Sequence, residues 1–142
     1  MRKFFVAAAG MLLAVGLSTA AQADLAPLEI AGATTVDADG VIGLVETMPN
    51  LVILDNRKEA DYAAGHIEGA VRLIDTDINS EADLAAHVAA KDTPVLFYCN
   101  GLSCGRAAAA VIKAVDFGYG NVHYYALGME EWRDKGLPLV TQ

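Results

Sequence analysis

Pro94-Val95-Leu96-Phe97-Tyr98-Cys99-Asn100-Gly101-Leu102-Ser103-Cys104-Gly105-Arg106-Ala107 holds a strand, a loop and the start of a helix in one short segment. Val95 to Tyr98 is an apolar run of strand length, and the run from Ala107 to Val115 has the composition of a helix packed on it. Between them lies a loop with both cysteines of the protein, a glycine near each, and Arg106 at the helix start. A cysteine there faces the unpaired amides and the positive end of a helix, which together stabilise a thiolate or another anion. Cys99 is thereby placed to be a nucleophile.

Working outward, the same alternation recurs on both sides. Thr35 and Val36 read as a short edge strand, and Asp37 as the N-cap of a helix whose apolar face is Val41, Ile42, Leu44, Val45 and Met48, ended by Pro49-Asn50. Leu51 to Leu54 is a continuous apolar strand ending at Asp55, the pattern of a parallel sheet covered on both faces. Lys58 to Ala64 reads as a short helix closed by Gly65, Ala70 to Ile74 as a strand, and Glu81 to Ala90 as a helix capped by Ser80. Val122 to Tyr125 is the last strand and Glu130 to Lys135 the last helix, with Gly136 and Pro138 beyond it. Five strands alternating with helices predict an α/β fold: a central, mainly parallel five-stranded sheet with helices on both faces. Ligands in such sheets bind at the carboxyl ends of the strands, where Asp55-Asn56-Arg57, Asp75 to Asp77 and the Cys99 loop fall.

The first residues have a different character. Arg2 and Lys3 precede an apolar stretch from Phe4 to Leu17 and the small residues of Ala21-Gln22-Ala23, the layout of a secretory signal peptide over residues 1–23. The apolar stretch is shorter than the roughly 20 residues a membrane span needs. The expected organisation is therefore a signal peptide over 1–23, an extended Ala-, Pro- and Gly-rich lead-in over 24–34, and one domain over 35–142, exported to the periplasm and free of the membrane after cleavage. Loss of Arg2 and Lys3 leaves 8 of the 10 basic residues against 18 acidic ones, a formal charge of −10 that argues against nucleic acid and anionic membranes. Two cysteines make no disulfide framework, yet in an oxidising compartment a pair this close in sequence has the option of bonding.

Several separately placed motifs together resemble the rhodanese domain. They are Leu54-Asp55-Asn56-Arg57, Glu59 through Gly65-His66-Ile67-Glu68-Gly69-Ala70, Tyr98-Cys99-Asn100-Gly101, and Gly118-Tyr119-Gly120-Asn121-Val122 through Gly128-Met129-Glu130-Glu131-Trp132 to Gly136-Leu137-Pro138. They run in the expected order from about Thr35 to Val140. The resemblance implies a single-domain α/β fold and a loop cysteine that, in active members, carries a persulfide from a sulfur donor to a nucleophilic acceptor. Three departures stand out. Six residues separate Cys99 from Arg106 where the family usually has four, and Cys104 stands where that arginine would be; Ala107 replaces the common serine, and Leu127 the first of two glycines. The Cys-Asn-Gly-x-x-Cys loop is similar to that of a subgroup of exported bacterial rhodanese-like proteins.

These residues give an expected chemistry. Cys99 would attack the outer sulfur of a thiosulfate- or persulfide-type donor, and the loop of Asn100, Gly101, Leu102, Ser103 and Gly105 would hold the persulfide anion through its amides. Arg106, with Arg57 as a second candidate, would bind an anionic donor; a thiol or cyanide would take the sulfur. Cys104 offers another route, displacing sulfide and leaving a Cys99–Cys104 disulfide that needs reduction. Asp55 with Arg57 reads as a structural polar pair and His66 as a buried turn histidine. Cys99 and Cys104 with the scattered His66, His87 and His123 lack the paired spacing of a zinc site, so neither metal nor cofactor is expected. Partners are then a small sulfur-containing donor or acceptor and a periplasmic thiol protein. Two other readings stay open: a thiol–disulfide protein that cycles both cysteines, and a rhodanese-fold binding module without turnover. A phosphatase or arsenate reductase fits less well, since those loops place five residues between cysteine and arginine.

Overall fold

The computed structural model describes residues 24–142; the expected signal peptide lies outside them. Five strands, β1 (Ala33–Thr35), β2 (Val52–Asp55), β3 (Val71–Arg72), β4 (Val95–Tyr98) and β5 (Val122–Tyr125), form one sheet in the order β1-β5-β4-β2-β3. Every pairing is parallel, with Val52 beside Val95 and Val95 beside Val122. The helices are α1 (Ala38–Thr47), α2 (Glu59–Ala64), α3 (Glu81–Ala85), α4 (Arg106–Asp116) and α5 (Gly128–Asp134). The α/β class and five-stranded sheet expected from the alternation are thus present.

β4 is central because all four of its side chains are apolar enough to be buried, on whichever face they fall. Phe97 joins Leu54, Tyr124 and the α4 residues Ala107, Ala110, Val111 and Ala114 on one face. Leu96 and Tyr98 join Ile53, Tyr125, Val41, Met129 and Trp132 on the other. Each large side chain so buried contributes about 1.5–3 kcal/mol. The small alanines of α4 let that helix lie close to the sheet, which fixes its first turn beside the end of β4. Strand order reverses between β2 and β4, so the crevice at their carboxyl ends is the topological switch point.

Element ends depart from the sequence expectation where tertiary bonds compete with local propensity. The strand expected over Ala70–Ile74 is only Val71–Arg72, because Ala70 N–H turns back to the Ile67 carbonyl and the Leu73 carbonyl is taken by Asn56 Nδ2. A 3₁₀ turn, Asp75–Asp77, follows, with Lys113 Nζ donating to the Asp75 and Ile78 carbonyls. The helix expected over Glu81–Ala90 ends at Ala85. Beyond it Val88 is drawn into the core, and its carbonyl accepts from the Tyr119 hydroxyl at 2.8 Å. Asp37 caps α1 as expected, accepting from Gly40 N–H at 2.8 Å. The first strand is shifted to Ala33–Thr35.

The lead-in is not merely extended; it is strapped across the domain. Ala26 N–H donates to the Leu102 carbonyl at 2.7 Å, the Tyr124 hydroxyl to the Pro27 carbonyl at 3.0 Å, and Thr35 Oγ1 to the Leu28 carbonyl at 2.9 Å. Ala26 and Ile30 pack against the same core cluster as Cys99 and Cys104.

Candidate active site

Cys99 follows β4 directly and is buried, as its place at the end of a central strand requires. Its backbone is held from the side of α5: Met129 N–H donates to the Cys99 carbonyl at 3.0 Å and Glu130 N–H to the Asn100 carbonyl at 2.8 Å. Such an approach needs glycine before it. Gly128 has φ +57°, and a Cβ there would collide with the Cys99 carbonyl. Glu130 then lies over Gly101, where an added Cβ would sit 2.5 Å from Oε2. The loop closes on itself through Cys104 N–H to the Gly101 carbonyl at 3.0 Å.

Cys99 and Cys104 are joined by a disulfide with a Cα–Cα distance of 6.2 Å, inside the ordinary range for such a bridge. The question of their pairing, left open by the sequence, has this answer here. Cys99 Sγ lies 3.9 Å from the Asn56 carbonyl. Arg106 Nε donates to that same carbonyl at 3.0 Å. The half-buried Arg106 is thus tied to the end of β2, beside the cysteine pair.

Among the described residues, the first amides of α4 have no acceptor. Gly105, the residue before it, has no side chain to cap the helix, and the first backbone bond is Ala109 N–H to the Gly105 carbonyl. The amides of Arg106, Ala107 and Ala108 therefore have no intrahelical acceptor, as geometry demands of a first turn. With the helix dipole behind them they favour an anion at the Cys99 loop.

The other expected site residues divide clearly. Asn100 turns its Nδ2 to Asp61 Oδ2 at 3.3 Å, Leu102 gives its carbonyl to Ala26, and Ser103 and Gly105 are exposed. Arg57 is fully buried and faces Asp55, not the loop. Its Nη2 lies 2.6 Å from Asp55 Oδ2 and 2.8 Å from the Gly65 carbonyl, and Nε lies 3.0 Å from Asp55 Oδ1. The Tyr98 hydroxyl donates to Asp55 Oδ2 at 2.5 Å, and the Arg57 guanidinium lies 5.7 Å from the Tyr98 ring centre. Burial, together with the Asp55 charge and hydrogen bond, pushes the Tyr98 hydroxyl well above its ordinary pKa, so it stays a donor. For Arg57, burial lowers the pKa, but the Asp55 hydrogen bond and charge outweigh it and the net shift is upward. This cation is neutralised where it stands, which leaves Arg106 as the arginine beside the cysteines.

His66 is buried away from any anion cradle. Its Nδ1 lies 2.9 Å from the Tyr62 carbonyl, its ring stacks on Tyr62 at 3.8 Å, and its backbone pairs with Val140. Among the described residues no group of three or more His, Cys, Asp or Glu side chains converges as a metal site would. Sequence reasoning did not single out Asn56, whose carbonyl links Cys99 to Arg106, nor Gly128 and Glu130, which set the loop from the far side. The Gly128-Met129-Glu130 run was legible as a motif, but its contact with Cys99 spans a strand and a helix.

The rhodanese-like domain model matches residues 41–135, which is more than half of the chain. This chain belongs to the rhodanese-like domain family. Among curated relatives, it is 34% identical over 92 residues to the uncharacterised protein YibN of Escherichia coli K12, covering 63% of this chain and 60% of that one. It is 39% identical over 82 residues to the thiosulfate sulfurtransferase GlpE of Pseudomonas entomophila, covering 58% of this chain and 70% of that one. The match thus spans less than two thirds of YibN. Among solved structures, the Alr3790 protein of Anabaena superimposes with a TM-score of 0.64 at 26% identity, over 75% of this chain and 82% of that one. The human single-domain sulfurtransferase TSTD1 shares the fold, with a TM-score of 0.57 at 24% identity over 72% and 97% of the two chains. The rhodanese-like assignment and the five-stranded α/β fold expected from the motifs therefore hold.

Proposed function

We propose that this chain is an exported sulfurtransferase-type enzyme that carries sulfur as a persulfide on Cys99, from a thiosulfate- or persulfide-type donor to a thiol or cyanide acceptor. The observation that carries this reading is the place of Cys99: at the end of the central strand, held by α5 amides, and before a helix whose first amides are uncommitted. The likeness to a relative named a thiosulfate sulfurtransferase supports the reaction class. Arg106 supplies the positive charge for an anionic donor in a chain of formal charge −8. The leader-like residues 1–23 support export to the periplasm, where the donor, the acceptor and a thiol protein partner would be met.

The disulfide sets a condition on this chemistry, since a bonded Cys99 cannot act as a nucleophile until it is reduced. It also favours a second reading, in which Cys99 and Cys104 serve thiol–disulfide exchange alone. Intact mass of the reduced protein after exposure to thiosulfate separates the two. Sulfurtransferase chemistry gives a species one sulfur atom heavier, or free sulfide, and Cys99→Ser abolishes both. Disulfide exchange alone gives neither.

A further inference from the structure

The sequence offers Cys104 as a second sulfur that displaces sulfide from Cys99, and the structure holds the two in a bond. Cys104 sits between exposed Ser103 and Gly105 and is itself 8% exposed against 2% for Cys99. Its backbone is fixed by the turn to Gly101, so its sulfur is held within bonding distance of Cys99 Sγ. Cys99 lies deeper, with Sγ 3.9 Å from the Asn56 carbonyl that also accepts from Arg106 Nε. The two sulfurs thus differ in access: reagents from solvent meet Cys104 first, and attack there makes Cys99 the thiolate that leaves.

We propose that Cys104 is the resolving thiol of a two-cysteine cycle: it discharges the Cys99 persulfide as sulfide, and the resulting disulfide is reopened by a dithiol that attacks Cys104. This rests on the sulfurtransferase reading and makes its product sulfide. In the opening step a reductant thiolate bonds Cys104 Sγ, the S–S bond breaks, and Cys99 leaves as thiolate. The second thiol of the reductant then attacks the mixed disulfide, frees Cys104 and leaves the reductant as its own disulfide. Cys99 next attacks the outer sulfur of thiosulfate; that S–S bond breaks and sulfite departs with the electron pair. Cys104, its proton given to water, attacks Cys99 Sγ, and the outer sulfur leaves as hydrosulfide while the disulfide re-forms. Two electrons pass from the dithiol to the sulfane sulfur, and every atom of the protein returns to its starting state.

Two measurements test the cycle. The protein is first reduced, freed of reductant without air, and mixed with stoichiometric thiosulfate. Wild type is expected to release a matching amount of sulfide and return to the disulfide mass. Cys104→Ser is expected to gain one sulfur atom, hold it, and release sulfide only when dithiothreitol is added. Retention of the persulfide by wild type, as by Cys104→Ser, overturns the resolving role while leaving the sulfurtransferase reading intact; no loading in either retracts both. The point of attack is read on oxidised wild type alone: after brief exposure to glutathione, acid quench and peptic digestion, glutathione should be found on Cys104. Glutathione on Cys99, or on neither, overturns the assigned entry point.

Discussion

Beneath the site, Arg57 stands in a buried pair with Asp55, the first of the two readings its sequence carried, a structural pair and a second candidate for binding an anionic donor. Adjacent to Asn56 in a polar strand end, it looked available to a substrate anion; in the fold it is fully buried against Asp55, Tyr98 and the Gly65 carbonyl. The desolvation of two charges is offset only while both remain, so removing one strands the other. Arg57→Met should therefore lower stability by about 3–5 kcal/mol in urea unfolding, far more than an exposed salt bridge would. The Asp55–Arg57 pairing was legible as opposite charges close together at a strand end. Its burial was not, since that depends on the Gly65 carbonyl and on Tyr98 of the neighbouring strand closing on the pair.

At the scale of elements, the cysteine loop is a joint between three pieces: the end of β4, the start of α4 and the first turn of α5. The α5 contact depends on one backbone conformation. Gly128→Ala puts a side chain at φ +57° against the Cys99 carbonyl and should cost about 1–3 kcal/mol, seen as a lower unfolding midpoint. Gly105→Ala serves as the comparison. There φ is −80° and an added Cβ meets open space, so stability should stay within about 0.5 kcal/mol of wild type. β4 and α4 were readable because their patterns are local: a run of apolar residues, then an alanine-rich helix behind a glycine. β3 and α3 came out shorter than their patterns because Asn56, Tyr119 and Lys113, distant in sequence, take the carbonyls that local structure would use.

For the whole molecule, the Cys99–Cys104 bridge is a small contributor to stability. It closes a separation of five residues, and a loop that short adds about 2 kcal/mol by restricting the unfolded chain. Thermal unfolding with and without dithiothreitol should show a modest drop on reduction and a cooperative transition in both states; unfolding on reduction would contradict a redox-cycling role. The loop also packs into the apolar core on one face of the sheet, with Ala26 and Ile30 against the same cluster, contacts that do not depend on the bridge. The sequence by itself determined the α/β class, the buried central strand, the family motifs and the position of Cys99 before a helix, because each is written in short-range periodicity and spacing. Only the tertiary structure decided that the cysteines are bonded, that Arg57 faces inward, that Gly128 must be glycine, and that the lead-in crosses the loop through Ala26 and Leu102. All but the bridge are contacts between segments that folding brings together, whose distances no local pattern encodes; the bridge joins residues five apart, and its closure depends on the conformation that the surrounding core gives the loop.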